Sequence, residues 1–271
     1  APTDAAVDFL ADAPADRPWC CVASYYEPNE AMVVGREAYS LYDVDHLALP
    51  INLRDDLSDR PNFYRRQQQI FAGLGDDEWR RALACYYGRI SEIDLQLGRL
   101  IAALEARGQL DDTIVVFTSD HGDCLTDHGH SQKWTMYDTV TRVPLIAWAP
   151  GLISGGNRCE ALVQLMDIGP SLLEFAEADY PDNMEAISLL PALEGKPLEG
   201  REHVFAEQVR DLNYTEGVFQ TMIRSKDWKL VHFLDEERGQ LFNLRNDPDE
   251  FHNLWDDPSH KAIREQLLSE L

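Results

Sequence analysis

Lysine is scarce in this chain, with five residues against nineteen arginines among 271. Asp and Glu together number 48, and the formal charge is −24. Such a field repels polyanions, which excludes nucleic acid as a partner. An anionic substrate is equally repelled except where a local cation offsets the field. No uninterrupted apolar run reaches the about eighteen residues of a membrane-spanning helix, so none is expected. The first ten residues, Ala1 to Leu10, carry Asp4 and Asp8 and no basic residue, which does not fit a secretory signal. A soluble protein of the cytoplasm or periplasm is expected, and the sequence does not choose between them. The cysteines, Cys20, Cys21, Cys85, Cys124 and Cys159, are odd in number and irregularly spaced. They contain no CxxC zinc pattern and support no disulfide framework. Internal repeats and low-complexity tracts are absent.

Hydrophobic residues make up 44% and aromatics 10%, enough for a large core. Residues 1–18 read as a helix and linker closed by Pro14 and Pro18. The apolar run Trp19 to Tyr26, between Pro18 and Pro28, reads as a buried strand with Cys20 and Cys21 in its core. Residues 29–75 read as an irregular excursion with short helices. From Asp76, a suitable N-cap, to Gly108 the period is helical, with Ile90, Ile93, Leu97, Leu100, Ile101 and Leu104 on one stripe. Thr113 to Thr118 is β-branched and apolar throughout, as in a central strand covered on both faces, and Val143 to Ala149 forms a second such run. Asp167 caps a helix running to about Ala176. Beyond Gly200, short strands are expected at 203–208, 219–224, 228–233 and 240–244, followed by a helix from His260 to Leu271. These readings give an α/β fold, a mainly parallel or mixed sheet flanked by helices, in residues 1–200. A small antiparallel sheet subdomain with a terminal helix occupies 201–271.

Chemistry concentrates at Thr118-Ser119-Asp120-His121-Gly122-Asp123, directly after the strand 113–118. In open α/β sheets, ligands bind beyond the carboxyl ends of strands. A carboxylate beside an imidazole suits a divalent cation. Lys133, in the polar loop Asp127 to Lys133, is a compact charge suited to an ester oxyanion, and it offsets the acidic field where an anion must land. The same residues also suit a plain loop, in which Asp120 caps a helix, His121 bonds a carbonyl and Lys133 is solvated. His128 and His130 read as polar loop residues and stay outside the cation set. The chemistry alone reaches a metal-dependent site for an anionic substrate.

Taken together, Thr118 to Asp123, Asp127-His128-Gly129, Lys133, Tyr137 and Arg142 to Ile146 resemble the sulfatase family of the alkaline-phosphatase superfamily. Gln164 to Leu173, Ile187 to Gly195, Met222-Ile223-Arg224, Trp228-Lys229-Leu230, Leu241 to Leu244, Asp247 to Glu250 and Asn253-Leu254 follow in the same family's order. The resemblance spans about residues 18–258 and implies an alkaline-phosphatase-like fold and hydrolysis of small sulfate esters or sulfated sugars. It implies a divalent cation, usually Ca²⁺, with Asp120 and His121 as two of its ligands and Lys133 as the catalytic, sulfate-binding cation. The second of those ligands is Asn in many members. The family's nucleophile is a formylglycine made from Cys or Ser in a Cys/Ser-x-Pro-x-Arg motif. That motif and the family's Asp-Asp ligand pair are absent from this sequence, so no nucleophile is assigned. Asn29 stands where a substrate-binding His is expected; Asn donates a hydrogen bond but delivers no proton near neutral pH.

The sequence is therefore expected to carry part of a sulfatase active site. Two alternatives remain. One is a non-catalytic binding or structural descendant; the other is a phosphonate monoester or phosphodiester hydrolase of the same superfamily. Uncovered sheet edges predict association, either with another copy or with an N-terminal half.

Overall fold

The computed structural model describes residues 1–179, 181, 183–209, 219–234 and 236–271. The expected C-terminal subdomain includes positions 210–218 and 235, which lie outside the described residues. In chain order the helices and strands are α1 (Pro2–Asp12), α2 (Arg36–Tyr39), α3 (Asn62–Phe71), α4 (Asp76–Ala106), β1 (Val115–Thr118), α5 (Asp138–Thr141), β2 (Leu145–Trp148), α6 (Ile168–Phe175), α7 (Leu190–Leu193), β3 (Val204–Gln208), β4 (Gln220–Arg224), β5 (Trp228–Phe233), β6 (Gln240–Asn243) and α8 (Lys261–Glu270). None of the described helices is long and apolar enough to cross a membrane. The chain divides into two compact units: 1–50, 74–117 and 145–155 form the first, and 51–73, 118–144 and 156–271 the second.

In the first unit, α1 and α2 pack on α4. The guanidinium of Arg107 collects the orphan carbonyls at the end of α1, bonding Ala11 O and Ala13 O at 2.7 Å each. Gly88 permits the approach of α2, since a Cβ there would lie 3.3 Å from Ala38 O and closer still to the Val34 side chain. The cap of α4 is Gly75, one residue before the expected Asp76; Glu78 reaches back to the Gly75 N–H at 3.0 Å. Of the expected stripe on α4, only Leu104 is fully buried, and Ile90 is exposed; Trp79, Leu83, Ala84 and Gly88 supply the rest of the buried face.

Two strand expectations are corrected in this unit. Residues 19–26 form no strand, Cys20 and Cys21 are exposed, and Val22 is 86% exposed. An apolar run becomes a buried strand only where a neighbour takes up its backbone ladder, and among the described residues no strand pairs with it. The second correction concerns β1, which is half-buried rather than covered on both faces. It pairs with β2, whose Ile146 and Trp148 point to an open face.

The second unit is built on the four-stranded sheet β3-β4-β5-β6, antiparallel throughout. The register sets Met222 opposite Val231 and Ile223 opposite Leu230, so alternate residues serve opposite faces. One face places Met222, Val231, Phe233 and Phe242 against Leu57, Phe63, Tyr64, Met136 and Tyr137. The other places Ile223, Leu230 and Leu241 against Leu267 of α8, Trp255 and Ile263. The expected strands and terminal helix after residue 200 are all present, within a residue or two of their anticipated ends. Asp167 begins α6, but its carboxylate does not bond that helix's amides. It accepts instead from Gln164 N (2.7 Å), Ile187 N (2.9 Å) and the Arg201 fork (2.5 and 2.7 Å), tying three segments together.

Candidate cation and anion site

The chain leaves β1 into a sharp turn. Ser119 Oγ donates to His121 O at 2.7 Å, and Asp120 Oδ1 accepts the His121 N–H at 3.0 Å. The Gly122 N–H donates to Val140 O of α5 at 2.8 Å. A Cβ on Gly122 would overlap Thr139 O, so only glycine lets the turn lie against α5. We expect Gly122→Ala to push the turn off α5. The measurement is protection of the His121 and Gly122 amides from hydrogen exchange, which should fall while the strand amides of β4 and β5 keep theirs.

His121 Nδ1 lies 2.8 Å from Gly122 O. A carbonyl only accepts, so Nδ1 carries the hydrogen and, in the neutral ring, Nε2 presents its lone pair. That Nε2 is 3.9 Å from Asp120 Oδ2. Two donors at this spacing suit neighbouring positions around one divalent cation. A metal-binding histidine characteristically donates its other N–H to such an acceptor. Asp120 is 87% and His121 31% exposed at the side chain, so the pair is open to a ligand. The donors therefore fit a divalent cation, as part of a ligand set. Among the described residues, no group of three or more His, Cys, Asp or Glu side chains converges on a metal position. The carbonyl bond expected of a plain loop is present, but no helix follows for Asp120 to cap.

The loop from Asp123 to Lys133 closes on itself. Asp123 Oδ1 accepts from Leu125 N (2.8 Å) and Gln132 N (2.9 Å), and Cys124 N donates to Gln132 O at 2.8 Å. Lys133 follows directly on Gln132, the residue bonded to Asp123. Its ammonium lies 6.0 Å from the Trp134 ring, whose Nε1–H is fixed on Gln132 Oε1 at 2.8 Å. Leu125, Thr126, His128 and Gln132 all have positive φ (41°, 86°, 52° and 71°). Each such conformation is costly for a residue with a Cβ and persists only where its surroundings over-determine it.

Those surroundings were not legible in the sequence. His128 and His130, expected as polar loop residues, are both buried. His128 Nδ1 pairs with Asp55 Oδ2 at 2.9 Å, and its ring stacks on Tyr137 at 4.0 Å. Asn52 Nδ2 reaches Asp127 Oδ1 and His128 Nε2 at 3.0 and 3.1 Å. Burial, and then the nearby His128, push the His130 pKa down to about 3. The unfolded chain takes up that proton near pH 6.5, whereas the folded chain refuses it until about 3. Stability attributable to His130 is therefore complete above 6.5 and is lost as pH falls through this window, by up to about 1.4 kcal/mol per pH unit. Thermal melts from pH 7 to 4 should show a shallower acid decline for His130→Phe than for the parent; parallel declines would contradict this.

Cys124 is fully buried against Thr135 Oγ1 (3.1 Å), and burial pushes its thiol pKa far up, so it is not a nucleophile. Asn29 belongs to the first unit. Its N–H closes a turn on Tyr26 O at 3.1 Å, in a segment held to α4 by Glu27–Arg89 (2.7 Å) and Gly35 N–Glu92 (2.9 Å).

Comparison with known proteins places the chain in a family. The family described as Sulfatase matches residues 2–178, and the one described as N-sulphoglucosamine sulphohydrolase, C-terminal, matches residues 126–271. An arylsulfatase of Clostridium perfringens is 30% identical over 275 residues, covering 98% of this chain and 56% of its own length. The chain thus spans about half the length of that relative. A phosphonate monoester hydrolase from Silicibacter pomeroyi superposes with a TM-score of 0.86 at 29% identity, over 100% of this chain and 59% of that one. A structure solved with its substrate, D-glucosamine-2-N,6-O-disulfate, superposes with a TM-score of 0.87 at 22% identity, over 99% of this chain and 68% of that one, a likeness of fold. The fold is the alkaline-phosphatase-like one of these neighbours, and the chain belongs to the sulfatase family of the alkaline-phosphatase superfamily.

Proposed function

We propose that the protein containing this chain hydrolyses sulfate esters, small or sugar-borne, with a divalent cation, Ca²⁺, held in part by Asp120 and His121. The observation that supports this most is the lone-pair-bearing Nε2 of His121 lying 3.9 Å from Asp120 Oδ2 on the turn after β1. When bound, the cation neutralises charge on the ester's oxygens. Asp120 and His121 orient it; Gly122 O keeps the His121 ring in the tautomer that ligates. Lys133 presents its ammonium to a sulfate oxygen and stabilises the charge that grows there as the ester bond breaks. The nucleophile is not among these residues, and no step is assigned to it. We take 1–200 as the partial core domain and 201–271 as the antiparallel subdomain.

The intact gene product, assayed with an aryl sulfate and with an aryl phosphonate monoester, tests the reading. Faster sulfate-ester turnover supports it, and faster phosphonate turnover favours the second reading, which the Silicibacter relative motivates. No turnover of either, with Ca²⁺ binding intact, favours a non-catalytic descendant. The exposed Val22, Ile146 and Trp148 of the first unit add the expectation that the chain self-associates. A monodisperse monomer by light scattering would contradict it.

A further inference from the structure

Beneath α5 lies a buried charge cluster that the proposed chemistry does not use. Lys229 of β5 is fully buried. Its Nζ donates to Asp138 Oδ1 and to Met136 O (3.0 Å) and forms an ion pair with Glu250 Oε1 at 2.7 Å. Asp138 Oδ2 also meets Arg224 Nη2 of β4 at 3.3 Å, and the Asp138 N–H donates to Glu250 Oε2 at 2.6 Å. Two cations and two carboxylates thus balance around the first residue of α5.

The cluster extends upward through α5 itself. Two residues beyond Asp138, Val140 O receives the Gly122 N–H, and Thr139 O fills the space where a Cβ of residue 122 would stand. Gly122 in turn accepts His121 Nδ1 on its own carbonyl. The continuous path is Lys229 and Glu250 to Asp138, along one turn of helix to Val140, then to Gly122 and the His121 ring. An α5 of four residues has no stability of its own. Its position is set by what holds its ends, and Asp138 is held from the sheet.

We propose that Asp138, locked by Lys229, Glu250 and Arg224, is a positioning residue for the Asp120–His121 turn, so that strands β4 and β5 set the geometry of the cation ligands through α5. This rests on the reading of Asp120 and His121 as ligands. Residues more than ninety positions away in the sequence thereby act on a ligand they do not touch. Outer-shell partners of this kind typically change cation affinity about 10–100-fold when removed.

The test is a Ca²⁺ titration of the whole chain, followed by the amide shifts of His121 and Gly122 at a temperature where every variant is folded. Asp120→Ala, Asp138→Asn, Arg224→Gln and a core variant, Phe233→Leu, are compared with the parent. Phe233 packs under the same sheet face but makes no bond to α5. The expected result is that Asp120→Ala removes the response, Asp138→Asn weakens affinity by about tenfold, and Arg224→Gln weakens it less, while Phe233→Leu lowers Tm without changing affinity. Asp138→Glu, which keeps the charge, recovers part of the loss. If Asp138→Asn does not fold, Arg224→Gln alone decides. Loss of response in Asp120→Ala with parental affinity in both cluster variants overturns the positioning role and leaves the ligand reading intact. An unaltered response in Asp120→Ala overturns the ligand reading itself.

Discussion

Lys133→Ala should lower kcat/KM of the intact gene product for a sulfate ester by about 10²–10³-fold, the scale seen when one preorganised stabiliser of transition-state charge is removed. The acidic field sets the need. The chain carries a charge of −24 and five lysines, so a cation at the anion's landing point must be supplied deliberately. The loop holds that cation in place: its ends are stapled by Asp123 to Gln132, and its left-handed His128 is held by the Asp55 pair and the Tyr137 stack. A cation on a rigid loop stabilises charge without reorganising at the moment of reaction. Lys133→Arg should recover only part of the activity, because a planar fork does not reproduce a point charge. A change in kcat/KM smaller than about threefold, well below the scale of such a stabiliser, would show that Lys133 does not stabilise the transition state.

Lys229→Met should destabilise the second unit by about 3–5 kcal/mol, read from urea unfolding followed by tryptophan fluorescence. The change leaves Asp138 and Glu250 facing one another with no buried cation between them. In the parent, burial pushes the Glu250 pKa up against the pull of Lys229, whereas for Asp138 the attraction of Lys229 and Arg224 outweighs burial and the pKa falls. Without Lys229, one of the two carboxylates must take a proton or draw in water. The double variant Lys229→Met with Glu250→Gln removes one charge of each sign and should regain part of the loss. Asp55 and Asp138, both lowered from 3.8, stabilise the fold above that pH and lose their contribution as pH falls below it. An unfolding midpoint for Lys229→Met equal to the parent's would contradict the buried arrangement.

What the sequence disclosed and what it withheld follow from locality. Strands β3 to β6 were legible because alternation and turn residues are encoded within a few positions, and both faces of this sheet find cover in the same unit. The long helix α4 was legible by period, but its buried side was not, since Trp79 and Leu83 carry the packing rather than the aliphatic stripe further on. Residues 19–26 failed as a strand because apolar character states a capacity for burial, and burial needs a partner. Asp120, His121 and Lys133 could be singled out by residue type and position after β1. Their supports could not, because Asp55 to His128 and Lys229 to Asp138 are pairings across 73 and 91 positions. Asp123 had a local signal, as the acidic residue closing the Asp120 to Asp123 run, yet its role as the loop's staple emerges only when Gln132 is brought to it.

The central claim, that Asp120 and His121 hold a divalent cation for sulfate-ester hydrolysis, is tested most directly by aryl sulfate turnover of the intact gene product with and without Ca²⁺, in the parent and in Asp120→Ala. The account predicts turnover that depends on the cation in the parent and a loss in the variant that added Ca²⁺ restores only in part. Turnover unaffected by Asp120→Ala at any Ca²⁺ level would contradict it.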